Sequence, residues 1–239
     1  MALTLPEGVF MACNGEHAAL LAARRSGRWW FAAGNAATIL HSLAETCGDP
    51  QAAAVAMRAR YPGVPGHLID ADVDRFTARL LDAGLLTRAE NPTPWPTPPQ
   101  AAPAGGHRAA AAGVGILATI AAVPALLAAI AVLRAGHLSA GLRAARAVHR
   151  LTRRSASLPC AEHALAAVRG AARWWPGRAA CAEVSLATVL LLAASGRRAT
   201  WVIGARFAPD GAHAWVVADQ MVVGGPEPDG WPYHPAAAA

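Results

Sequence analysis

From residue 8 onward, short apolar runs alternate with small polar breakers. Val9 to Cys13 is followed by Asn14-Gly15, His17 to Ala23 by Arg24-Arg25-Ser26-Gly27, and Arg28-Trp29-Trp30-Phe31 comes next. Asn-Gly between two apolar runs is the strongest short hairpin signal, and Ser26-Gly27 marks a second turn, so the pattern predicts three short strands. The period then changes to that of helices. Gly34-Asn35 opens one carrying Ile39, Leu40 and Leu43 and ending near Gly48. Asp49 as N-cap with Pro50 at the first helical position starts a second, running to Tyr61. A third, from about Asp70, sets Val73, Phe76, Leu80 and Leu81 on one face and closes at Gly84. Asp70, Asp72 and Asp74 crowd its predicted first turn, where the helix dipole favours acids.

Residues 91–106 are dense in proline and end in Gly-Gly, which predicts a stiff, extended linker with a free end. An uncharged run from Ala109 to Leu133 follows, long enough to span a bilayer. Its strong hydrophobes Ile116, Ile120, Val123, Leu127 and Ile130 fall on one helical stripe, which suits packing on protein. A spanning helix and a buried or membrane-resting one both stay open, with a kink expected at Pro124. Gly141 to Thr152 reads as a basic amphipathic helix with a solvated face, and Leu158-Pro159 opens another through Val168 to Trp174-Trp175. Pro176-Gly177 breaks the chain before an apolar helix containing Val184, Leu186, Val189, Leu190 and Leu192, which stops at Gly196. Two β-rich runs close the pattern, Thr200 to Phe207 and His213 to Val223, the second interrupted at Asp219-Gln220.

The hydrophobic share of 54% and charged share of 15% exclude a disordered or solvating chain. A net charge of +6 suits an anionic partner such as an acidic peptide, nucleic acid or a membrane surface. No basic tract is interleaved with aromatics, so nucleic acid is not expected as the partner. Cys13, Cys47, Cys160 and Cys181 match neither a zinc spacing nor a compact disulfide framework, which points to a reducing cytoplasm and to no metal or cofactor. The opening Met-Ala-Leu-Thr-Leu-Pro-Glu lacks a basic n-region and an apolar h-region, so no signal peptide is expected.

Chemistry concentrates near Cys181. A cysteine in the first turn of a helix meets unpaired backbone N–H groups and the positive end of the dipole, both of which favour a thiolate. His213, on a following strand, supplies a matching base. The plain alternative is that Cys181 is a small buried hydrophobe. Cys160 and His163, three apart on an alanine-rich helix, could pair in the same way or simply pack. Arg178 either holds substrate or is a surface arginine, and Trp201 and Trp215 alternate along strands as core residues.

Two stretches resemble known families. Trp30-Phe-Ala-Ala-Gly34-Asn35-Ala-Ala-Thr-Ile-Leu40, with Tyr61, Ile69-Asp70-Ala-Asp72-Val73-Asp-Arg-Phe76 and Leu80-Leu-Asp-Ala-Gly84-Leu85-Leu86, resembles the peptide-recognition domain of the pyrroloquinoline-quinone D-protein type. That family binds the leaders of ribosomally made precursor peptides, and the likeness spans roughly residues 1 to 88. Pro176-Gly177-Arg178-Ala-Ala-Cys181-Ala-Glu-Val-Ser185-Leu186-Ala187, with Ala212-His213-Ala-Trp215-Val-Val, resembles the transglutaminase-like leader peptidase of lasso-peptide biosynthesis, over roughly residues 109 to 230.

Joined, the two resemble a fused lasso-peptide B protein. The resemblance implies an α+β chain: a winged-helix-like recognition domain over 1–90 (three strands, three helices), a linker over 91–106, and a papain-type transglutaminase-like domain over 107–239, its helices followed by a small antiparallel sheet. It implies a cysteine peptidase that binds a lasso precursor, cleaves off the leader and frees the core for macrolactam cyclisation. Cys181 would be the nucleophile and His213 the base, with Trp29, Trp30, Phe31 and Phe76 holding the leader. The family's acid lies about a dozen positions after the histidine, where this chain has Gly225; Asp219, Glu227 and Asp229 are the nearby acids, and Asp219 is taken as the orienting residue. The expected partners are the leader peptide and an asparagine-synthetase-like cyclase, in the cytoplasm, with peripheral membrane contact left open. A leader-binding scaffold without catalysis is the alternative.

Overall fold

The computed structural model describes residues 1–24, 27–91, 94–97, 99, 114–224 and 232–239. The chain forms two compact units, Met1–Pro98 and Pro99–Ala239, and is mixed α+β throughout.

In the first unit, β1 (Ala2–Thr4) precedes three strands, β2 (Val9–Cys13), β3 (His17–Ala22) and β4 (Arg28–Ala33), paired antiparallel in that order with β4 at one edge. The Asn14-Gly15 turn forms as its chemistry dictates: Asn14 Oδ1 accepts from the His17 amide at 2.8 Å, and Gly15 takes a φ of 90°. The Ser26 turn signal lies outside the described residues. Helices α1 (Asn35–Glu45), α2 (Pro50–Arg60) and α3 (Gly66–Asp82) follow, then β5 (Thr87–Ala89), which pairs with β1.

Asp49 caps α2 by accepting from the Gln51 amide at 2.9 Å. Helix α3 starts four residues earlier than its acids suggest, with Pro65 at the N-cap. Asp70 and Asp72 are therefore past the first turn and pair instead with Arg58 (3.2 Å) and Arg75 (2.9 Å). Trp95, within the stretch expected to be linker, is buried in this unit's core and donates its indole N–H to Leu3 O at 2.9 Å. Residues 100–106 of that stretch lie outside the described residues.

The first described element of the second unit is α4 (Ile116–Leu151), continuous through Pro124. Its break is at Gly136 and His137, whose backbone angles leave the helical region, so the kink expected at Pro124 belongs one and a half dozen ångströms further on by roughly 1.5 Å of rise per residue. Of the stripe Ile116, Ile120, Val123, Leu127 and Ile130, expected to pack on protein, only Ile130 is buried and the other four are exposed; the buried line is Ala122, Leu126, Ala129 and Ile130. The small alanines on that line permit close helix approach, which overrides the size of the side chains opposite. Next come β6 (Arg154–Ser155), α5 (Leu158–Arg173), α6 (Cys181–Ala194) and β7 (Arg197–Arg198), with β6 and β7 forming a short parallel pair.

The sheet is built from β8 (Thr200–Phe207), β9 (Asp210–Ala218), β10 (Met221–Val222) and β11 (His234–Ala238), in antiparallel order β10-β9-β8-β11. Side chains alternate between its faces. Trp201, Ile203, Ala205 and Phe207 are buried on one face, and Val202, Trp215 and Val222 form a separate small core on the other. Trp201 is completely buried; a Cβ built on Gly141 of α4 would lie 2.7 Å from its ring. Gly141→Ala should therefore overpack this contact and lower stability by about 1–3 kcal/mol, read from urea unfolding of the full chain; an unchanged midpoint would show that α4 has room to shift.

Candidate active site around Cys181

Helix α6 begins where Pro176-Gly177 ends the preceding turn. Its N-cap is Ala180, which has no side-chain acceptor to offer the first-turn amides. Glu183 turns back and accepts from the Ala180 amide at 3.0 Å, fixing the entry of the chain. The N–H groups of Cys181, Ala182 and Glu183 are thus left without a side-chain cap, around a half-buried thiol. This is a site for negative charge: a thiolate, or the oxyanion of a carbonyl under attack.

The backbone of Cys181 is held from behind. Ser185 Oγ donates to Cys181 O at 2.6 Å and accepts the Trp201 indole N–H at 2.8 Å. The first turn of α6 is thereby tied to β8 through two buried side chains. Strand alternation marks Trp201 as a core residue, and no local pattern reveals that Ser185 accepts its N–H.

His213 stands on β9 opposite Gly204. A Cβ on Gly204 would lie 2.7 Å from the Trp215 ring, so the glycine makes room for that indole. The imidazole stacks on Trp215 with ring centres 6.3 Å apart and sits 4.9 Å from the Tyr233 ring, which in turn carries the Arg206 guanidinium at 5.6 Å. Burial, and secondarily the charge of Arg169 on α5, hold its pKa below the usual imidazole value of 6.5.

The pleat decides which way His213 points. Trp201 pairs with Val216 and turns toward α6, whereas His213, three residues from Val216, turns to the opposite face. No hydrogen bond joins Cys181 to His213. His234, on β11 opposite Ala205 and tilted on Phe207 with ring centres 5.4 Å apart, belongs by register to the same face as Trp201. Its pKa is also lowered, by burial. Nothing in the Pro- and Ala-rich β11 announces a strand, so the sequence carries no signal that places His234 in the sheet.

Asp219 occupies the β9–β10 turn, exposed, with φ 51° beside Gln220 at φ 61°. Six residues of strand, roughly 20 Å, separate it from His213, so this turn position does not place it as the orienting acid. Gly225, Glu227 and Asp229 lie outside the described residues. A Cβ on Gly224 would come 2.7 Å from Leu165 and 3.5 Å from Arg169, so α5 packs against the end of β10. Arg178 is exposed in the loop before α6; Cys160, half-buried, and His163, exposed, are a turn apart on α5. Among the described residues no group of three His, Cys, Asp or Glu side chains could hold a metal ion.

In the first unit, the pleat of β4 separates the aromatic residues expected to hold peptide. Trp30 packs on the core, as does Phe76 from α3, while Trp29 and Phe31 stack on each other at 6.1 Å on the other face.

Ser185→Ala would leave the buried Trp201 N–H without its acceptor and free the Cys181 carbonyl. The expected loss is about 1–3 kcal/mol of stability by urea unfolding; a neutral result would mean that the Trp201 tie is not needed to seat α6.

Residues 122–237, just under half of the chain, match a family model described as transglutaminase-like superfamily. No curated protein and no solved structure matches the chain. The second unit, with its helices, its small antiparallel sheet and Cys181 at a helix start, is similar to the transglutaminase-like superfamily, which commonly includes cysteine peptidases.

Proposed function

We propose that the chain is a cysteine peptidase that binds the leader of a ribosomally made lasso precursor and removes it, leaving the core for an asparagine-synthetase-like cyclase. The observation that carries this reading is Cys181 at the uncapped start of α6, inside the transglutaminase-like match. Sγ attacks the scissile carbonyl while an imidazole takes the thiol proton; the carbonyl oxygen draws on the first-turn amides. The imidazolium returns its proton to the leaving amine, and water then hydrolyses the thioester.

His213 is the base by its place in the Cys…His motif, and His234 is its rival by register. Catalytic hydrogen bonds are often long in a free enzyme and tighten on substrate. His213 is paired with Cys181 on the motif, and reaching the thiol requires the first turn of α6 and β9 to close on substrate. Leader binding is assigned to the first unit, whose three strands followed by three helices support a winged-helix-like domain of the pyrroloquinoline-quinone D-protein type. The open edge of β4 can receive an extended peptide as an added strand, with Trp29 and Phe31 on the β4 face turned from the core and Trp30 and Phe76 backing it from the core side. Four free thiols are in keeping with a reducing cytoplasm.

A second reading, a scaffold that holds the leader without cutting it, draws on the place of His213, packed on Trp215 and Tyr233 across the sheet from the Trp201 face. Incubation with a precursor separates the two. Wild type should release leader and Cys181→Ala should not, and equal cleavage by both would remove Cys181 as nucleophile. Of His213→Ala and His234→Ala, loss of the true base should lower kcat/KM by about 10² or more, and the other change should leave it within a few-fold.

The pH profile gives an independent check. A neutral base is required, so activity should rise with pH through the base's pKa, with an acid limb below 6.5 for His213. Removing the neighbouring charge in Arg169→Gln should move that limb upward; an unmoved limb would point to His234, whose shift stems from burial alone.

A further inference from the structure

The described residues of the second unit leave an apolar line on the first half of α4 uncovered. Ile116 is 75% exposed, Leu117 80% and Ile120 60%, and Val123 and Leu127 continue the same line. At 3.6 residues per turn, Arg134 falls on it about five turns after Ile116. The other side of this half-helix is committed to the protein. Ala122, Leu126 and Ala129 are buried, and Gly170 of α5 approaches so closely that a Cβ there would lie 2.9 Å from Thr119 Oγ1. That contact brings the end of α5 to the start of α4, and Trp174, which caps α5, is 85% exposed.

We propose that this line rests on an anionic bilayer surface, with Ile116, Leu117, Ile120, Val123 and Leu127 in the acyl boundary and Arg134 reaching back to the headgroups. Three observations select a lipid surface as the occupant. The line is aliphatic from end to end, without the polar groups that a protein partner would read. Arg134 falls on the line and the exposed Trp174 ends the helix that packs beside its start, side chains suited to the membrane–water boundary. The rest of α4 and its exit carry exposed Arg143, Arg146, Arg150, Arg153 and Arg154, while the acids described in this unit are only Glu162, Glu183, Asp210 and Asp219. Such a balance is attracted to acidic headgroups.

By length and composition α4 could also cross a membrane. Crossing is opposed by its packing, because α5 would have to follow and take Glu162, Arg169 and Arg173 into hydrocarbon. The helix lies in the interface plane, as amphipathic anchors do, with the domain itself serving as the polar side. The inference is independent of whether Cys181 cleaves anything.

Co-sedimentation of the full chain with vesicles tests it. Wild type should bind phosphatidylcholine–phosphatidylglycerol vesicles, weakly bind pure phosphatidylcholine, and lose anionic binding as salt rises. The double change Leu117→Glu with Ile120→Glu should reduce binding by about tenfold or more, with thermal unfolding unchanged because both sites are exposed. Val55→Glu, an exposed apolar position on α2, should bind as wild type does. Brominated lipid should quench wild-type fluorescence more than that of Trp174→Phe. Absence of vesicle binding by wild type, or equal binding by the double variant, would overturn the proposal. So would lipid-free self-association that the double variant abolishes, since the line would then join two copies of the chain.

Discussion

One indole organises the second unit. Trp201 is wholly buried, touches α4 where Gly141 has no side chain, and gives its N–H to Ser185, which in turn bonds the carbonyl of Cys181. Burial of so large a ring supplies apolar stabilisation, and the hydrogen bond spares it the cost of an unpaired donor. The same contact fixes where α6 starts, and hence where its uncapped amides gather. Helix, sheet and thiol are positioned by a single side chain whose polar atom has one acceptor.

Local signals fared well wherever a residue type has a steric reason to be there. Asn14-Gly15, Asp49-Pro50 and Pro176-Gly177 each mark the boundary they suggest, and β8 has the limits its β-rich run implies. Alanine, and proline inside a strand, gave no such signal. Strand β11, reading His-Pro-Ala-Ala-Ala, forms because β8 offers it an edge, a tertiary cause that no propensity encodes. The acids Asp70 and Asp72 suggested a helix start, yet Arg58 and Arg75 account for them equally well. On α4, hydrophobic size suggested the packed side, but close approach through alanine decided it.

At the site, the chain revealed the setting of Cys181 better than its relations. The break before the helix and the absence of a capping side chain can be read from six residues. The direction of His213 cannot, since it depends on a register counted from Trp201 and Val216. Arg169, a helix away in sequence, emerges only when the chain is folded and its charge reaches the imidazole. Asp219 is a case of two roles competing for one residue type: aspartate both orients histidines and tolerates left-handed turns, and the backbone chose the turn.

The burial of Trp95 bears on where the first unit can be cut. Its ring belongs to the core around Leu3, Leu43 and Leu85, and its N–H satisfies the Leu3 carbonyl beside the strand that β5 closes. A truncation after residue 90 would open a hole in that core and strip a carbonyl of its donor, however natural the proline-rich border looks. Anyone preparing the first unit separately would do well to carry the chain to residue 98, so that the fragment keeps its own plug.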